Sequence, residues 1–119
     1  MAARAFAKEW INWDWRSAAT QQRHLAQLAS GPLADQLRAN ANSARIDASL
    51  ARDRPGSRGA IAAVDLTSHG PRSAGIVVTR EHSYTDGHAD LGGAHYRVYR
   101  VRLAAADRTW EVTTWAPQP

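Results

Sequence analysis

A chain of 119 residues without cysteine has room for one hydrophobic core of ordinary domain size, and it excludes both a disulfide framework and a thiolate metal site. The net charge of +4 arises from 15 basic residues, of which only Lys8 is lysine. They are spread from Arg4 to Arg108 with no basic tail, so nucleic acid is not an expected partner, and no run of 18 apolar residues is present to cross a bilayer as a helix.

Phe6, Trp10 and Trp13 recur at i, i+4 and i+7, which predicts a first helix over about residues 3–15. Ser17 has the chemistry of an N-cap for a second helix, whose narrow apolar face is Ala18, Leu25, Leu28 and Ala29. Gly31-Pro32 ends that helix and opens a third, carried by Leu33, Leu37 and Ala41 or Ala44; Ile46 and Leu50 extend the spacing into a further turn. The charged, Pro/Gly-rich run 52–59 then marks a change of character. Beyond it, strands are predicted over 60–68, 74–85, 95–104 and 109–115. Gly70-Pro71 and Asp107-Arg108 make tight turns, and Asp86-Gly87 and Gly92-Gly93 bracket a loop. Such short connections allow only an antiparallel meander, because parallel neighbours need long crossovers. The expected fold is a single α+β domain over 1–119, with helices (about 3–51) packed on a curved four-stranded antiparallel sheet (about 59–116).

Three groups of residues could carry chemistry. His82, Asp86, His88, Asp90 and His95 surround the second hairpin and are suitable metal ligands, but no tight His-x-His or His-x-x-x-His spacing joins them. A polar hairpin tip accounts for them, and no metal or cofactor is expected. Helices folded over a curved sheet also leave an open end that can hold a ligand. Asp14, Asp65, Glu81, His82, Tyr84, Tyr96 and Tyr99 are the titratable groups available to line it, and Asp14, His82 and Tyr96 form the acid–base set expected of an enzyme. The plainer reading makes Asp14 a helix-end cap and the tyrosines cross-strand packing. Finally, Trp10, Trp13 and Trp15 exceed what one helix face buries, so Trp15 and Trp115 are candidate interface anchors, although the plainer reading has Trp15 fold over the domain edge and close the core. On the third strand Tyr99, Val101 and Leu103 alternate with Tyr96, Val98, Arg100 and Arg102; the first set reads as core-facing. Arg97, Arg100 and Arg102 form either a solvated face or one side of a charge-matched partner surface. No phosphate-binding Gly loop, Gly-x-Ser-x-Gly elbow or His-Glu-x-x-His occurs, which removes the commonest enzyme classes.

Helices followed by a four-strand meander resemble the cystatin-like cone of the nuclear-transport-factor-2-like superfamily. Two stretches carry a narrower resemblance: Phe6-Ala7-Lys8-Glu9-Trp10 with Trp13 and the run Arg23 to Leu33, and the ending Trp110-Glu111-Val112-Thr113-Thr114-Trp115-Ala116-Pro117-Gln118-Pro119. Both are similar to the extracytoplasmic domain of the eighth VirB-type secretion component and its Gram-positive conjugation-plasmid counterparts. The resemblance implies a non-enzymatic scaffold of a conjugative type IV secretion system. Such a domain self-associates, contacts other channel components and lies outside the cell behind an N-terminal membrane helix. That helix is absent from this chain, whose start at Met1-Ala2-Ala3-Arg4, already helical in pattern by Ala5, fits a domain that follows one. The alternative on the same cone is a small-molecule enzyme or binder of the ketosteroid-isomerase or polyketide-cyclase kind. Fold alone does not choose between them.

Overall fold

The computed structural model describes residues 2–85 and 93–118. Four helices precede the main strands: α1 (Ala2–Ile11), α2 (Ala18–Gln27), α3 (Gly31–Ile46) and α4 (Ala48–Asp53). The strands are β1 (Trp13–Asp14), β2 (Pro55–His69), β3 (Arg72–Thr85), β4 (Ala94–Ala106) and β5 (Thr109–Pro117). They form one antiparallel sheet in the order β1-β2-β3-β4-β5, strongly curled into a half-barrel with the helices packed against it. The chain is therefore α+β, but with five strands where the sequence pattern predicts four.

The fifth strand exists because α1 stops earlier than its apolar spacing implies. Ala3, Phe6, Ala7 and Ile11 are buried at helical intervals. At Asn12 the chain turns away. Asn12 Nδ2 donates to the carbonyls of Lys8 and Gly59, and its Oδ1 accepts from the Gly59 amide. The buried Gln21 donates from Nε2 to the carbonyls of Glu9 and Trp10. These bonds satisfy carbonyls that a helix end leaves without partners. Trp13 and Asp14 are thereby freed from the helix, and they pair with Ser57 and Gly56 of β2. Gly59 permits the contact: a Cβ there would strike the Arg80 carbonyl oxygen and lie 2.8 Å from Ile11 Cγ2.

The cap of α2 also differs from the expectation. Ser17 occupies the N-cap position without a side-chain capping bond. Its hydroxyl instead accepts from the Asp14 amide, while Asp14 Oδ1 accepts from the amides of Arg16 and Ser17. Asp14 therefore holds this turn, as short acidic side chains commonly do. Between α2 and α3 the chain briefly joins the sheet: the Val112 amide donates to the Leu28 carbonyl, and the Ser30 amide donates to the Val112 carbonyl. Gly31, at φ +65°, then makes the turn into α3, with Pro32 in its first turn.

Bulges between Ile61 and Ala63 and between Arg102 and Leu103 add to the curl of the sheet. On its inner face Val77, Tyr99, Val101, Leu103, Val112 and Trp115 pack with Phe6, Ala7, Leu25 and Leu37 from the helices. The alternation expected on the third long strand is present: Tyr99, Val101 and Leu103 are buried, whereas Tyr96, Arg100 and Arg102 are exposed. Among the described residues no helix is long and apolar enough to cross a membrane.

Candidate functional site

The concave side of the sheet is not filled to its end. A cleft of about 590 Å³ opens between the C-terminal half of α3, α4, β1 and the inner face of β3 and β4. Strand periodicity positions its central group. Val77, Thr79 and Glu81 alternate along β3 on the inner face, and the first two are fully buried. Glu81 comes last, at the cleft, where its side chain remains only 12% exposed.

The carboxylate is held firmly on one side. Its Oε2 accepts from Thr79 Oγ1 and from Tyr99 Oη, each at 2.6 Å, distances typical of strong bonds to an ionised acceptor. Tyr99 Oη in turn accepts from Trp10 Nε1 at 3.2 Å. Burial of the phenol and its bond to Glu81 push the Tyr99 hydroxyl up to about 12, so it stays protonated at neutral pH. The other carboxylate oxygen, Oε1, has no donor within hydrogen-bond distance among the described residues. Its nearest charged neighbour is Arg97 Nε at 3.9 Å. Trp10, Trp13, Tyr99 and Leu50 supply apolar wall, while Ser57, Ser83 and Asn40 supply polar rim. The arrangement is an acceptor with a free oxygen at the back of an aromatic-walled cleft, a form that suits small-ligand binding.

The acid–base set expected from the sequence does not line this cleft. Asp14 is occupied with the turn before α2. His82 and Tyr96 fall on the alternate face: His82 stands opposite Arg58 and Ala94, and Tyr96 stands opposite Arg80 and is 70% exposed. Glu81 and Tyr99 take their place because the register turns odd-numbered positions of both strands inward. The sequence held no local signal for this choice, since Ile76, Val78 and Arg80 run from apolar to charged just as Val77, Thr79 and Glu81 do.

The candidate anchors also separate. Trp115 is only 8% exposed, with ring centroids 4.9 Å from Phe6 and 4.5 Å from Tyr99, so it is a core residue and not a surface anchor. Among the described residues its Nε1 is buried without a hydrogen-bond partner. Trp15 is half-buried beneath the guanidinium groups of Arg16 and Arg54, 4.8 and 5.6 Å from its ring centre. Arg97 lies on the inner face at the cleft rim. Arg100 and Arg102 lie on the outer face, opposite Ile76 and Ala74. Of the histidine–aspartate group at the second hairpin, Asp86, His88 and Asp90 lie outside the described residues. His82 pairs with Ala94 and His95 with Glu81, which puts the two histidines on opposite faces.

No protein family, curated protein or solved structure matches the chain.

Proposed function

We propose that this domain acts by binding and not by catalysis, and that the cleft is its binding site. The observation that carries this reading is the Glu81 carboxylate: almost buried, fixed through Oε2, and presenting an unfilled Oε1 between aromatic walls. A buried acceptor without a donor favours any ligand that supplies one. The ketosteroid-isomerase or polyketide-cyclase reading places the same pair in different roles, with carboxylate and hydroxyl acting on the substrate from separate positions. Here the Tyr99 hydroxyl donates its one hydrogen bond to Glu81 itself, which favours a binder over an enzyme. The test is a fragment screen by ligand-observed NMR on the wild type and on Ser83→Trp, a bulky change at an exposed residue of the rim. Hits should bind the wild type and be lost in the variant. Hits that bind both equally, or none at all, would refute the proposal.

A second reading follows the resemblance: an outward-facing, self-associating scaffold of a conjugative type IV secretion assembly, anchored by a membrane helix outside this chain. The outer face of the sheet supports it. Ile76, Val78 and Val98 are half-buried there beside exposed Arg80, Arg100 and Arg102, for which no carboxylate lies within ion-pair distance among the described residues. Such a face suits a charge-matched protein partner. Fractionation of the natural protein, with protease added outside wall-less cells, should recover this domain on the membrane and cleave it from outside. Recovery as a protein of the cell interior would end this reading and leave the cleft proposal standing.

A further inference from the structure

Two groups in the cleft have opposite needs and do not meet each other's. Glu81 Oε1 can only accept, and the Arg97 guanidinium can only donate. At 3.9 Å they are close enough to attract and too far apart to hydrogen-bond. Arg97 is half-exposed, with a side chain 55% accessible, and makes no other side-chain hydrogen bond or ion pair among the described residues. An ammonium ligand would satisfy Glu81 and be repelled by Arg97. A carboxylate ligand would do the reverse. A neutral carboxamide suits both, because its N–H donates to Glu81 Oε1 while its carbonyl oxygen accepts from Arg97. The walls add a shape requirement. Trp10 and Trp13, both part-exposed, offer ring surfaces, on which a flat ring buries the most area.

Resting on the reading of the cleft as a binding site, we infer that it takes a small aromatic ring bearing a carboxamide, with the amide edge spanning Glu81 and Arg97. Arg97 is then the residue that separates an amide from an amine. The pair discriminates by charge as well as by hydrogen bonding, since a wrongly charged head group leaves one partner unpaired and the other repelled.

The test is a titration of the ¹⁵N-labelled chain with benzamide, benzylamine and benzoate, reading the indole N–H signals of Trp10 and Trp13. Benzamide should shift both signals and bind most tightly of the three. Arg97→Ala, at an accessible rim position, should weaken benzamide roughly tenfold, the size of one hydrogen bond to a charged group. The same change should tighten benzylamine, because the repelling charge is gone. Tighter binding of benzylamine or benzoate than of benzamide, or an unchanged benzamide affinity in Arg97→Ala, would overturn the inference and leave the cleft a binding site. If no probe moves either indole signal, the inference and the cleft reading fail together.

Discussion

Replacing Tyr99 with Phe removes one oxygen and keeps the ring that stacks on Trp115 at 4.5 Å. Two bonds disappear: the short donation to Glu81 Oε2 and the acceptance from Trp10 Nε1 at 3.2 Å. A hydrogen bond to a charged group contributes roughly 1.5–3 kcal/mol, and the longer indole bond contributes less. The variant should therefore be about 2–3 kcal/mol less stable at pH 7, measured by urea unfolding. The pH dependence makes the test more specific. The folded state holds the Tyr99 proton more tightly than the unfolded chain does, up to about 12 against an ordinary value of 10. Its contribution is complete below pH 10 and is lost as pH rises through the folded value. With an allowance for partial solvent screening, the pH-linked part amounts to roughly 2 kcal/mol. The gap between wild type and Tyr99→Phe should thus be constant from pH 7 to 9 and narrow above pH 10. A gap under about 0.5 kcal/mol at pH 7, or one that stays constant to pH 11.5, would refute the bonding scheme at Glu81.

Three other substitutions examine the frame around the cleft. Trp115→Ala should cost roughly 3–5 kcal/mol in urea unfolding, as for a large core aromatic; a cost near 0.5 kcal/mol would return Trp115 to the surface. Gly59→Ala should lower stability by roughly 1–3 kcal/mol, since the added methyl meets the Arg80 carbonyl and Ile11, and a neutral result would mean that α1 and β2 are not in close contact. Asp14→Ala should cost about 1 kcal/mol through the lost turn bonds while fragment binding to the cleft is unchanged. Loss of binding with stability intact would place Asp14 in the site after all.

Much of the frame was legible in the sequence. Helical spacing of Phe6 and Trp10 marked the buried face of α1, Gly31-Pro32 marked a break, and period-two alternation from Tyr96 to Leu103 separated the two faces of β4. Local chemistry decides these features, because backbone sterics and the intervals 3.6 and 2.0 act within a few residues. Tertiary structure decided the rest. Helix α1 ends at Ile11 because Asn12 finds Gly59, 47 residues away, and Gln21 finds the last carbonyls. Alternation in β3 shows that Glu81 and His82 face opposite ways but not which of them faces inward; pairing with β4 and the curl of the sheet settle that. A tryptophan near a chain end can be a surface anchor or a core ring, and only the arrival of Phe6 and Tyr99 made Trp115 the latter. Each of these outcomes depends on contacts between distant segments, which no short stretch of sequence contains.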